Sequence, residues 1–456
     1  MEAFSSKGTW WLADRPDDTF AGTLNIGEDG EVRLELQGAP VPFQNFLKRD
    51  DPPVPFILGE LRERHKFFGR AATLVRCWTT RMDGGFGGTG TLQEFRAERA
   101  YIGQAHLSAA APEFRQTRLR FSGLNAWADT YTGFRSIENS FGRVWDAPEL
   151  IRGPVPGAEL SIGAGCDMTG GRHEVRLAEY VELTLTFPSP IGEAELDARF
   201  IYPLQNLFTL ITDAPNTLTR LVVWLPGSET ASYSVFAAQT YSDETEAVDQ
   251  HPYKMLLPYS LIEGDAPRIF GAWLDLYARR AFPLAMYFAG RYDSPRYVDL
   301  RLQLLLQALA SYTGVTATRP PPDPSVPWGF TESFPPEYRG PKTSFEMATT
   351  HPILEASFAL IPLREAYTLL FGERTEDRWN RFRADVLNTL TYILLRDPAQ
   401  ADPPEGGTYY ELAETVDLLF KVTILLSIGL DPALVEKQLR GNPQARLVKQ
   451  WQSAGG

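Results

Sequence analysis

Along the first third of the chain apolar side chains recur at every second position. The clearest case is GTLNIGEDGEVRLELQG, residues 22–38. Leu24 and Ile26 alternate with polar neighbours, Asp29-Gly30 supplies a turn, and Val32, Leu34 and Leu36 resume the period of two. Asp-Gly reaches positive φ cheaply, so this pattern predicts a β-hairpin with one buried face. ATLVRCWTTR (72–81) and YIGQAHLSA (101–109) read as further strands, and RFSGLNAWADTYTG (120–133) as a short helix or turn. EVRLAEYVELTLTFPSP (174–190) and TLTRLVVWLPG (217–227) are β-branched, aromatic and bounded by Pro or Gly, with a helical LQNLFTLITDAP (204–215) between them.

From about residue 258 the period lengthens to that of an amphipathic helix. APRIFGAWLDLYARRAF (266–282) opens this part. SPRYVDLRLQLLLQALASYTG follows, with Ser294 as N-cap, Pro295 at the first helical position and Gly314 as C-cap. Later helical segments end at Gly372 and Gly429, one starts at Thr375, and DPALVEKQLRGN (431–442) has an Asp-Pro start and a Gly-Asn stop. Between two of these helices lies a Pro-rich stretch, residues 317–344, carrying Trp328, Phe334 and Tyr338. It reads as an extended strap or as a binding segment; loops this long are uncommon without a role. The expected fold class is α+β and multidomain. β-rich, sandwich- or barrel-like modules at 1–154 and a mixed, mainly β module at 155–256 precede an all-α bundle at 257–456 with an insertion at 317–344.

Composition narrows the function. A net charge of −13 argues against nonspecific binding to nucleic acid or anionic membrane, while leaving room for a local basic cleft. Two cysteines, Cys77 and Cys166, make no disulfide framework and fit a reducing cytoplasm. MEAFSSKGTWW lacks a basic segment followed by an apolar one, so no signal peptide is expected, and the best apolar run is broken by Lys421 and too short for a bilayer.

The candidate chemistry is thin. GFGGTG, residues 85–90, matches G-x-G-x-x-G, but strand-like TLQEFRAERAYIG with an exposed charged stretch follows it, so it reads as a hairpin loop and no dinucleotide site. His65, His106, His173, His251 and His351 form no metal-ligand spacing, so neither metal nor cofactor is expected. His65 reads as a solvated charged face and His106 as a structural residue in a strand. Trp10-Trp11 suits core packing better than a sugar- or base-stacking platform.

The segments nevertheless resemble a known family. FSSKGTWWLADRPDDTFAGTLNIGEDGEVRLELQG, then FILGE, ATLVRCW and RLRFSGLNAWADTYTGF, resemble the N-terminal β domain of ApeA-type anti-phage defence proteins. LRLQLLLQALASYTG and DVLNTLTYILLRDPAQADPPEGGTYYELAETVDLLFKVTILLSIGLDPALVEKQL resemble the HEPN domain at their C-terminus. The resemblance implies metal-free RNA cleavage that arrests the infected cell, through an R-N-x-x-x-H motif at a helix end, often in a homodimer. The histidine would handle the proton of the ribose 2'-OH or of the leaving group, and the arginine would stabilise the charged transition state.

Here that motif falls on NTLTYILLRDP, residues 388–398. The arginine position holds Leu390, the asparagine position Thr391 and the histidine position Leu395, and the helix that usually bears a glutamate has Ala310 there. Leucine neither carries a proton nor places a charge. Arg383 and Arg396 remain near enough in sequence to hold phosphate, and His351 is the one histidine in the helical half. The expectation is therefore a cytoplasmic defence protein whose HEPN-like bundle is catalytically degenerate and serves binding, dimerisation or sensing of an RNA or a phage or host protein. The alternative is an active metal-independent endoribonuclease with a displaced site. A carbohydrate-binding β module is a third reading.

Overall fold

The alternating pattern of residues 4–37 is one part of a sheet that closes on itself. In the computed structural model, the described residues are 3–41, 54–65, 69–83, 91–108, 111–128, 134–136, 143–145, 149–170, 175–227, 231–239, 254–293, 297–313, 360, 363–372, 376–395 and 406–454. Strands β1 (Phe4–Leu12), β2 (Arg15–Ile26), β3 (Val32–Gln37), β4 (Val54–His65), β5 (Gly69–Asp83) and β6 (Leu92–Gly103) pair antiparallel in the ring β6-β3-β2-β1-β4-β5, and β5 returns to β6. The β2–β3 hairpin has the expected register, Ile26 opposite Val32, with Gly30 at φ 78° in the turn. Closure gives each of the six strands a barrel partner on both sides.

Its inward positions make one apolar core. Trp10 is 0% exposed at the centre, with Leu24, Leu34, Ile57, Leu74 and Phe95 around it. The indole needs room, and Gly59 provides it: a Cβ there would sit 2.2 Å from Trp10 Cε3. Trp11, on the other face, packs edge-on against His106 with ring centroids 5.3 Å apart. The Trp pair is thus packing, as the sequence indicated.

The expectation for YIGQAHLSA needs correction. Strand β6 stops at Gly103, and residues 104–108 are not strand. Gly69, at φ 125°, lies against the Gly103 carbonyl, so the two strands end together. Beyond that point Leu107 N–H donates to Thr73 Oγ1 (3.0 Å) and His106 Nε2–H to the Gly59 carbonyl (3.1 Å). His106 is structural, but it lies past the strand. GFGGTG lies outside the described residues; the strands on either side of it, β5 and β6, are antiparallel partners with Asp83 opposite Leu92.

A second run of strands grows from one edge of β6. Strand β3 occupies that edge at residues 92–97 and β14 (Ser232–Ala237) at 99–102. The sheet continues through β13 (Leu218–Trp224), β7 (Glu113–Phe121), β12 (Val175–Gly192), β11 (Ala158–Gly170) and β10 (Glu149–Val155), twelve strands in all. Strands β8 (Phe134–Ser136) and β9 (Arg143–Trp145) form a separate hairpin. Short helix α1 (Leu124–Trp127) falls where the sequence placed a helix or turn. After β12 come α2 (Glu193–Leu196), a π-helical turn (Asp197–Ile201) and α3 (Tyr202–Thr212). Phe208 of α3 packs on Phe121 and Trp127, and Trp127 Nε1 donates to the Leu257 carbonyl. Asn216 is wholly buried yet fully used: Nδ2 donates to Thr212 Oγ1 and the Ala214 carbonyl, and Oδ1 accepts from Gly123 N–H.

The chain divides into two compact units. The first is Met1–Pro252 with Leu257–Leu274, and the second is Tyr253–Leu256 with Asp275–Gly456. Helices α4 (Tyr259–Ile262) and most of α5 (Ala266–Arg279) belong to the first. The second is helical: α6 (Ala281–Tyr292), α7 (Val298–Thr313), α8 (Leu363–Phe371), α9 (Glu376–Leu395), α10 (Gly406–Ser427), α11 (Pro432–Gly441) and α12 (Pro443–Ala454) among its described residues. Asp431 caps α11 by accepting from Ala433 N–H (2.8 Å), and Gly372 and Gly429 have the left-handed φ of helix stops. β-rich structure followed by helices is the α+β multidomain class read from the sequence. Ser294, Gly314, Thr375 and the segment 317–344 lie outside the described residues. Among the described residues no helix is long and apolar enough to cross a membrane.

The barrel core predicts a steric test. Gly59→Ala is expected to cost about 1–3 kcal/mol of stability through overpacking against Trp10. Gly192→Ala, where a Cβ meets nothing within 4 Å, is expected to leave the melting temperature nearly unchanged. Equal melting curves for the two variants would contradict this packing.

Candidate functional site

Strands β5 and β6 share a kink that turns charged residues toward a cavity. Core-facing residues run Ala72, Leu74, Cys77 on β5 and Phe95, Ala97, Ala100, Ile102 on β6, so each strand skips one position. At the skip Arg76 adopts φ 50°, left-handed for a residue with a side chain. Beyond it Arg99 and Tyr101 face out of the barrel, into the layer made by α2, the π-turn and α3. The sequence suggested an exposed charged stretch here. Arg96 and Glu98 are exposed, but Arg99 is buried.

Carboxylates answer that buried charge. Arg99 Nε is 2.5 Å from Glu193 Oε1, and its Nη2 also donates to Asp197 Oδ2. Glu193 Oε1 also accepts from Arg76 Nη2 (2.7 Å), and Arg76 grips Glu98 in two-point fashion at 2.5 and 2.7 Å. Hydrogen bonds from Arg76 hold the Glu98 carboxyl below its ordinary range. Asp197 moves the other way, because its burial outweighs the attraction of Arg99. Burial, and then the charge of Glu193, push the Tyr101 phenol up. The π-turn that carries Asp197 leads directly into Tyr202; its wider turn is a common feature of functional sites.

Against this cluster lies a cavity of about 560 Å³, lined by Trp78, Glu98, Arg99, Asp197, Tyr202 and Gln205 among others. Two of its aromatic residues are uncovered: Trp78 is 42% exposed and Tyr202 51%. Among the described residues no three His, Cys, Asp or Glu side chains are grouped as a metal site. Cys77 is buried, which pushes its thiol up and makes it a poor nucleophile.

The positions singled out by sequence lie in the helical unit. Helix α9 runs through Leu390, Thr391 and Leu395, so the motif positions occupy its last two turns; their side chains, and Arg396, lie outside the described residues. Thr389, beside them, is buried. Ala310 is buried on α7, and Arg383 is half-buried on α9. His351 lies outside the described residues.

The helical unit holds a charge network that sequence reading passed over. Asp417 on α10 is 1% exposed, as is Lys421, whose Nζ is 2.7 Å from Asp417 Oδ2. Tyr287 OH donates to Asp417 Oδ1 (2.8 Å) and Gln444 Nε2 to Oδ2 (3.1 Å), while Arg291 and Arg301 lie 3.5 and 3.8 Å away. Helices α6, α7, α10 and α12 are thereby tied to one carboxylate. Burial alone would raise the Asp417 carboxyl; Lys421, Arg291 and Arg301 outweigh it and hold the group well below its usual range. The sequence signal was an Asp and a Lys four apart inside an otherwise apolar run.

Comparison with known proteins places the first unit. The model of ApeA N-terminal domain 1 matches residues 5–273, more than half of the chain. The chain belongs to the ApeA N-terminal domain 1 family. The match ends one residue before the first unit's last, Leu274. Barrel, strand extension, π-turn and cavity therefore all lie inside the ApeA N-terminal domain. This membership supports the association with anti-phage defence implied by the opening motifs. No curated protein and no solved structure matches the chain.

Asp417 gives a test in two parts. Asp417→Asn is expected to cost the helical unit about 3–5 kcal/mol, because Lys421, Arg291 and Arg301 lose the carboxylate charge they share. Its folded-state carboxyl is depressed, so its stabilisation is complete above the ordinary aspartate value of about 4 and is lost as pH falls through the folded-state value. Acid titration of the helix signal should therefore destabilise the wild type more steeply than Asp417→Asn. Parallel acid profiles would contradict the assignment.

Proposed function

We propose that this ApeA-family protein acts in anti-phage defence through binding and sensing, with a C-terminal HEPN-like bundle that has lost ribonuclease chemistry. The observation that carries the reading is the apolar content of the motif. Leu390, Thr391 and Leu395 stand where arginine, asparagine and histidine would act. A base is needed to take the 2'-OH proton, and a cation to stabilise the charged phosphorus centre. Leucine does neither. Arg383 and Arg396 can hold a phosphate but do not replace the base. His351 is the one histidine after residue 258. Replacing paired polar groups by apolar ones also removes the cost of burying them, so a site converted to packing is stable once catalysis is no longer required.

In this reading the helical bundle serves as a dimerisation or scaffold element in the cytoplasm, and the N-terminal unit recognises an RNA or a phage or host protein. The family membership of residues 5–273 supports the defence role. A nuclease role would need a base that the motif positions do not carry.

The purified full chain, incubated with labelled tRNA and mRNA at neutral pH without metal, is expected to leave both intact. Specific cuts with 2',3'-cyclic phosphate ends, abolished by His351→Ala or Arg383→Ala, would overturn the non-catalytic reading and establish a displaced HEPN site.

A further inference from the structure

The cavity beside Arg99 is built for a ligand of limited charge. Its volume of about 560 Å³ lies within the roughly 300–1,000 Å³ of small-molecule sites. Each arginine around it is already held. Arg96 Nε pairs with Glu31 at 3.2 Å, Arg76 with Glu98 and Glu193, and Arg99 with Glu193 and Asp197. With Arg33, which also holds Glu31 at 2.5 Å, four arginines meet four carboxylates, so no cation is left over for a phosphate. The polar wall instead offers carboxylate acceptors, Glu98 and Asp197, to N–H groups of a ligand.

The aromatic wall sets the ligand's shape. Trp78 and Tyr202 present large uncovered rings to the same cavity. Exposed rings gathered at a concave site signal stacking, since a planar ligand covers them and buries its own faces. The backbone supports their placement from both sides. The left-handed Arg76 sits two residues before Trp78, and the π-turn ends at the residue before Tyr202. Irregular backbone that aims side chains into one cavity is a feature of binding sites.

We propose that this cavity binds a nucleobase as a free nucleoside, with the base stacked on Trp78 or Tyr202 and its amino or ring N–H groups donated to Asp197 or Glu98. With no cation left over and Glu98 and Asp197 on the wall, a phosphate gains no ion pair, so a phosphorylated form is the weaker ligand. The inference concerns the first unit alone and holds whether or not the helical region cleaves RNA.

Titration calorimetry on the full chain tests it, with adenosine, guanosine, cytidine and uridine, their 5'-monophosphates and methyl glucoside as probes. At least one nucleoside is expected to bind, its monophosphate more weakly and methyl glucoside not at all. Trp78→Ala or Tyr202→Ala is expected to weaken binding about tenfold, the size of one lost stacking contact. Melting temperature is expected to stay near that of the wild type, because about half of each side chain's surface is already in solvent. Tyr297→Ala, 72% exposed in the other unit, serves as a control with unchanged affinity. Absence of nucleoside binding, tighter binding of the monophosphate, binding of the glucoside in place of the nucleoside, or affinity unchanged in both ring variants would each overturn the proposal.

Discussion

A buried arginine organises the first unit. Arg99 comes off a barrel strand and places its guanidinium under the layer that follows β12, where water is largely excluded. An unpaired charge there would cost several kcal/mol. Two carboxylates one turn apart, Glu193 and Asp197, make the position tolerable, and Arg76 shares Glu193 from the neighbouring strand. The pairings fix where the chain must turn from sheet to helix. They also account for the left-handed Arg76, whose side chain has three carboxylate hydrogen bonds to offset its backbone strain.

The cavity follows from this arrangement. Arg99, turned out of the barrel at the kink, lines the cavity with Trp78 and Glu98, and the π-turn that carries Asp197 leads into Tyr202. The cavity's walls come mainly from strand and helix, joined by the ion pairs of Arg76 and Arg99 with Glu193 and Asp197. The helical unit uses a similar device at Asp417, with a different outcome. There the charges are sealed among four helices, and the network specifies packing rather than a site.

Much of the architecture was legible in the chain because it rests on local patterns. The period of two around Asp29-Gly30, the Gly stops at 372 and 429 and the Asp431 cap each encode their own structure. Helix α3 was legible too, as an apolar run between strand signals. What escaped were features set by distant partners. Closure of β5 on β6 and the edge shared by β3 and β14 carry no local mark. Arg99 reads as one more charge in RAERAY, since its partners lie almost a hundred residues on. The end of β6 at Gly103 was hidden because IGQAHL keeps a strand-like composition after pairing stops. Any role for the end of α9 rests on family resemblance alone, since Leu390 and Leu395 by themselves read as ordinary helix core.

The coupling between Arg99 and Glu193 tests this account most directly. A double-mutant cycle with Arg99→Met, Glu193→Gln and the combined variant, followed by denaturant unfolding, measures how far each side chain's contribution depends on the other. Contact within a buried network predicts an interaction energy in the range of about 0.5–3 kcal/mol, with the double variant less damaged than the sum of the singles. Additive effects, within about 0.5 kcal/mol, would contradict the claim that this pair joins barrel and helical layer.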